Sequence, residues 1–206
     1  IVAIEPASGE ILTLVSSPFY DPNLLVGQSR SPNFNRMYSD ANKPLFDRSL
    51  LAEYPPGSTF KLLNALIGLQ EDVIYSGTRF SCDMGWHFSP KLKIGCHAHN
   101  SPLNLTESIA QSCNAYYCNT FRRIIEKYNS AERGYDNWRN HILSFGLGNF
   151  LNNDLYTGRK GRVPSVDFYN RQYGKKRWKA PTVISLAIGQ DALVVSPIQM
   201  ANMIAA

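Results

Sequence analysis

The chain has 206 residues, a net charge of +5, 44% hydrophobic residues and 18% charged residues. Such a balance excludes a disordered or fibrous chain and suits one large globular domain, or one with a small subdomain. No stretch reaches the ~20 apolar residues of a membrane span, and the basic clusters Arg122-Arg123, Arg159-Lys160-Gly161-Arg162 and Lys175-Lys176-Arg177 accompany no nucleic-acid motif, so they read as solvated faces or an anionic-envelope contact.

Residues 1–15 alternate around Pro6-Ala7-Ser8-Gly9-Glu10, which predicts a two-stranded hairpin. Residues 16–50 are rich in Pro, Asn, Ser and Arg and read as a long extended loop. Tyr54-Pro55-Pro56-Gly57 forms a turn, and the apolar run that follows predicts a buried helix over 58–70. Residues 73–104 read as irregular. Thr106 opens a helical pattern that breaks near Ser112 and resumes through Tyr117, Phe121, Ile124, Ile125 and Tyr128 as core packing. A short helix is predicted over 137–145 and a loop over 148–181. Residues 182–189 form a small-apolar run, and Ser196-Pro197 starts a last helix. The first residue falls in a strand pattern and the last in a helical one, so the expectation is a piece of a longer protein.

The most informative unit is Ser58-Thr59-Phe60-Lys61. A free serine is a poor nucleophile and needs an adjacent base. Positions i and i+3 share a helix face, which sets Lys61 beside Ser58. The free N–H groups and positive dipole of the helix start would favour an oxyanion and a neutral lysine, as would burial of the amine. A capping serine with a surface lysine is the bland alternative. A second unit, Ser112-Cys113-Asn114, lies at the helix break, where a hydroxyl and an amide two residues apart can face one cleft; helix caps are the bland alternative. A third is Ile188-Gly189-Gln190-Asp191, followed by Ser196-Pro197-Ile198-Gln199-Met200-Ala201.

The four cysteines are too few for a disulfide scaffold. Cys82 and Cys96 flank a polar insert and could form one disulfide in an oxidising compartment. With His99 they also supply metal-ligand types, although the spacing matches no standard zinc pattern. Cys113 and Cys118 read as parts of a helical pattern.

Together these motifs resemble the transpeptidase domain of the penicillin-binding proteins, of which Ser-x-x-Lys is a signature. The resemblance covers nearly all of residues 1–206, from Ile4-Glu5-Pro6-Ala7-Ser8-Gly9-Glu10 and Phe19-Tyr20-Asp21-Pro22-Asn23 through the Tyr54–Lys61 segment. Gly189-Gln190 and Pro197-Ile198-Gln199-Met200-Ala201 look like class B, and Phe168 to Trp178 looks like its elongation-specific branch, penicillin-binding protein 2. The implied fold is α/β (α+β), similar to that of the serine β-lactamases. Of it, residues 1–206 would hold the N-terminal hairpin, the active-site helix and the helical part, without the later sheet strands.

The implied reaction is peptidoglycan D,D-transpeptidation through a serine acyl-enzyme that β-lactams also form. Ser58, Lys61 and Ser112 would be catalytic, and Asn114, Gly189 and Gln190 would bind substrate. No cofactor is implied for the chemistry. Relatives in that branch carry an insert like the one holding Cys82, Cys96 and His99, for which zinc and a disulfide both stay open. Implied partners are peptidoglycan stem peptides, β-lactams, a membrane glycosyltransferase and elongation-complex proteins, with no nucleic acid. The implied location is the periplasmic face of the bacterial inner membrane, with the anchor elsewhere in the protein. A serine β-lactamase and a non-catalytic sensor on the same fold are the alternatives.

The departures are Asp191 where the family usually has glycine, Asn152-Asn153 where Thr-Gly normally precedes Asp154-Leu155, and no Lys-Thr-Gly or Lys-Ser-Gly in these residues.

Overall fold

The computed structural model describes residues 1–155 and 157–206. Strands β1 (Val2–Ile4) and β2 (Ile11–Leu14) pair antiparallel, as the alternation predicts. Residues 16–50 are less of a loop than their composition suggests. They contain a 3-10 turn at Pro22–Leu25, helix α1 (Arg30–Ser39) and the single turn α2 (Arg48–Leu51). Only Met37 of α1 is buried, so the helix has no apolar stripe to betray it.

The entry to the central helix is a 3-10 turn at Gly57–Phe60 that runs directly into α3 (Lys61–Gln70). Phe60 is fully buried and meets Trp138 edge-on at 6.1 Å. One turn past Lys61, the buried Asn64 accepts from Trp138 Nε1 at 2.7 Å and donates to the Ala187 carbonyl at 2.9 Å. That pins α3 between two neighbours, because leaving either polar group unpaired in the core costs about 1–3 kcal/mol.

Residues 73–104 are not wholly irregular. Strands β3 (Gly85–Ser89) and β4 (Leu92–Gly95) form a second hairpin. It docks on the helix that holds Asn119 through the buried Trp86, whose Nε1 donates to Asn119 Oδ1 at 3.1 Å. Helix α4 (Leu105–Ala110) starts with a capping box between Asn104 and Glu107. Helix α5 (Asn114–Glu126) buries Tyr116, Tyr117, Phe121, Ile124 and Ile125 completely. Each fully buried side chain of this size contributes ~1.5–3 kcal/mol of hydrophobic stabilisation.

Helix α6 (Ala131–Ser144) begins six residues before the expected start, capped by Ser130. Within the expected 148–181 loop lies helix α7 (Val166–Tyr173), capped by Ser165, with Tyr169 its one buried residue. Tyr135, Tyr169 and Trp178 pack ring against ring at 5.3–5.5 Å. The apolar run is a 3-10 segment, Ala180–Ile188, packed along α5. Helix α8 (Pro197–Ala205) starts at Pro197 as expected.

Among the described residues the only sheets are these two two-stranded ones. Leu62, Leu66 and Leu69 leave one apolar face of α3 exposed. The mixed, mainly helical architecture with short sheets fits the expected fold class.

Candidate active site

In a 3-10 turn side chains three apart eclipse, so the Gly57–Phe60 turn stacks Ser58 and Lys61 on one side. Ser58 is exposed at the mouth of a cleft of about 240 Å³, and Lys61 lies at its floor with 3% of its surface exposed. Ser112 and Tyr117 complete the walls. The break between α4 and α5 forces Ser112 to a φ of +47°, a strained conformation for a residue with a Cβ. Local bonds hold it there: Ser112 N–H donates to Ile109 at 3.0 Å and Cys113 N–H to Ser108 at 3.0 Å.

That strained backbone presents two oxygens to the lysine. Lys61 Nζ donates to the Ser112 carbonyl at 2.6 Å and to Ser112 Oγ at 2.9 Å. The Tyr117 ring lies 5.9 Å from the amine. Among the described residues no carboxylate pairs with Lys61. Burial pushes its pKa below the ordinary lysine value, against a smaller opposing pull from Cys96, Cys113 and Cys118. A neutral amine has two N–H donors and one lone pair. In that form Ser112 would occupy both donors and leave the lone pair free.

The structure therefore brings Ser58, Lys61 and Ser112 together. Asn114 is nearby but turned toward the hairpin: its Nδ2 donates to the Gly95 carbonyl at 2.8 Å and its N–H to Cys96 Sγ at 3.3 Å. Gly189 and Gln190 do not line the cleft. Gly189 sits behind the serine turn, where its carbonyl accepts from Gly57 N–H at 2.9 Å. A Cβ there would lie 2.4 Å from the Gly57 carbonyl oxygen, so only glycine fits. Gln190 is exposed, and its N–H donates to Ser185.

The cysteines are all free thiols, so the Cys82–Cys96 disulfide is not formed. Instead ligand atoms of Cys82, Cys96, His99 and Cys113 lie within 4.8 Å of one another. Cys96 Sγ and His99 Nε2 are 3.4 Å apart, and His99 Nδ1 lies 2.7 Å from the Asn100 carbonyl. A proton on Nδ1 satisfies that carbonyl and leaves Nε2 as a ligand. Three thiolates and one imidazole are a donor set suited to tetrahedral zinc. Sequence spacing missed Cys113, whose partners flank a hairpin that the sequence pattern did not reveal.

The family model of the penicillin binding protein transpeptidase domain matches residues 1–206. The chain belongs to that family. It is 31% identical over 98% of its length to the peptidoglycan D,D-transpeptidase MrdA of Acinetobacter baumannii, of which it spans 29%. It superposes on the crystal structure of Pseudomonas aeruginosa PBP2 in complex with WCK 5153 with a TM-score of 0.85 and 29% identity, covering 99% of this chain and 45% of that one. A structure on the coordination of polymerization and crosslinking by a peptidoglycan synthase complex matches with a TM-score of 0.81 and 27% identity, covering 99% of this chain and 33% of that chain. The chain thus spans about a third or less of the curated relative it matches.

Proposed function

We propose that the full-length protein is a peptidoglycan D,D-transpeptidase of the elongation-specific, class B kind. The observation that carries this reading is Lys61: buried, without a carboxylate partner, bonded to Ser112 and set beside Ser58. Ser58 Oγ attacks the carbonyl of the penultimate D-Ala of a stem peptide while its proton passes to Lys61. The tetrahedral oxyanion takes the Ser58 N–H at the helix start as one donor. The C–N bond then breaks, and terminal D-Ala leaves as an amine with a proton relayed through Ser112. In the second half an acceptor amine, deprotonated by the same pair, attacks the ester, forms the cross-link and frees Ser58. Asn114 is proposed to help bind the donor peptide, and Gly189 to act indirectly by shaping the serine turn, while Gln190, outside the cleft, is given no part in binding.

A β-lactam acylates Ser58 by the same attack, with the amide nitrogen of its opened ring taking the proton. Likeness to a chain from a peptidoglycan synthase complex that coordinates polymerization and crosslinking supports a polymerizing partner; the periplasmic face of the inner membrane is proposed as the place of action. Among the described residues no helix is long and apolar enough to cross a membrane. The test is release of D-Ala from a stem peptide ending in D-Ala-D-Ala. Release by the full-length protein that disappears in Ser58→Ala is expected. Absence of release, its persistence in Ser58→Ala, or fast nitrocefin turnover would each overturn the assignment.

We further propose that Cys82, Cys96, His99 and Cys113 hold zinc, which there would fix the β3–β4 hairpin against the start of α5. The convergence of four donors supports this over a disulfide. Metal analysis should find one zinc per chain, and Cys96→Ser should lose it and lower Tm. A metal-free protein with a Cys82–Cys96 disulfide by non-reducing mass measurement would contradict it.

A further inference from the structure

The turn that carries Ser58 does not stand alone. Residues 189–195 run behind it as a strap, bonded to it at both ends. At one end Gly57 N–H donates to the Gly189 carbonyl at 2.9 Å. At the other, Tyr54 and Val195 exchange two backbone bonds, each 2.9 Å. The strap is itself strained. Gly189 has a φ of +68° and Asp191, which carries a Cβ, a φ of +74°. Two side chains from outside hold it. Arg162 Nε donates to the Ala192 carbonyl at 2.7 Å, and Tyr169 donates its hydroxyl to Asp191 Oδ2 at 3.1 Å. Tyr169 belongs to the packed core of Tyr135 and Trp178, with no exposed surface of its own, so its hydroxyl is a rigid anchor. Asp191 is exposed, so no burial requirement explains a carboxylate at that spot.

We propose that the Tyr169–Asp191 bond is a positioning latch for the nucleophile, a role that rests on the transpeptidase reading. It holds a strained strap whose Gly189 carbonyl sets Gly57, and Gly57 sets the backbone N–H and hydroxyl of Ser58. Neither residue touches the reacting atoms; both act through the strap. Misplacement of a nucleophile by a fraction of an ångström is enough to slow attack substantially.

The test uses the full-length protein with two readouts. The first is the acylation rate by labelled penicillin, and the second is hydrogen exchange at the Gly57 amide. Tyr169→Phe removes only the hydroxyl. It is expected to slow acylation roughly fivefold and to speed Gly57 exchange roughly tenfold, with exchange of the buried α5 amides unchanged. The double variant Tyr169→Phe/Asp191→Gly relieves the positive φ and is expected to recover most of both losses. A Tyr169→Phe protein with unchanged exchange at Gly57 overturns the latch. So does a loss that Asp191→Gly leaves unrelieved, which marks a general packing role for Tyr169. If the unmutated protein is not acylated at all, the transpeptidase reading fails, while the exchange arm still decides whether the latch exists.

Discussion

Helix α3 is flanked by two buried ionisable side chains, Lys61 at its start and Glu71 just past its end, in opposite surroundings. At its start Lys61 is desolvated and has no carboxylate partner; its two bonds go to the neutral oxygens of Ser112. Just past its end, Glu71 is surrounded by donors. Lys127 Nζ, Tyr128 OH, Asn137 Nδ2 and His141 Nε2 all reach its carboxylate, at 2.7–3.1 Å. Burial alone would raise the Glu71 pKa, but the four donors outweigh it and bring it down to about 2. One end of the helix holds an amine without a counter-charge, the state that the proposed base role of Lys61 needs, and the other ties α3 to α5 and α6.

The largest expected effect tests the first half of that contrast. Lys61→Met should cut acylation by labelled penicillin by ~10²–10⁴-fold, the usual contribution of a positioned base. It should leave Tm unchanged or higher, since it replaces a poorly compensated buried amine with an apolar chain of similar length. A large fall in Tm would mean that Lys61 is structural. Ser112→Ala comes next, with a loss of ~10²-fold in acylation and little change in Tm.

Glu71→Ala should do the reverse. It strands four donors and should cost about 2 kcal/mol, a figure kept low because the Lys127 side chain is 42% exposed and partly screened. The acylation rate of the folded fraction should not change. The smallest effect is in pH. The carboxyl is depressed to about 2 in the fold against 4.5 in the unfolded chain. Its contribution is therefore whole above pH 4.5 and disappears as pH falls toward 2. Acid titration of Tm should show a shallower decline in Glu71→Gln than in the unmutated protein. Equal slopes would mean that the four donors do not act on the ionised carboxylate.

These two ends were unequally legible in the sequence. Ser58 and Lys61 could be read as a candidate pair because they are three apart in sequence at a helix entry, and Ser112 because it breaks a helical pattern. Glu71 could not, because its partners lie just past α5 and on α6 and become a cluster only on packing. The same holds for Cys113, whose fellow donors flank the β3–β4 hairpin. That hairpin hid because β3 buries only its first two residues, with no alternation, and β4 alternates over just four. Helices α1 and α7 bury one residue each, too few for a stripe. The 189–195 segment stood out as a motif, but its position behind the nucleophile rather than in the cleft needed the three-dimensional pairing of Gly57 with Gly189.

The most direct test of the account is to map a β-lactam adduct on the full-length protein by mass spectrometry. The account predicts one acyl group, on the peptide containing Ser58, formed quickly with the native lysine and nearly absent in Lys61→Met. An adduct on any other residue, or labelling of Ser58 at the same rate without Lys61, would contradict it.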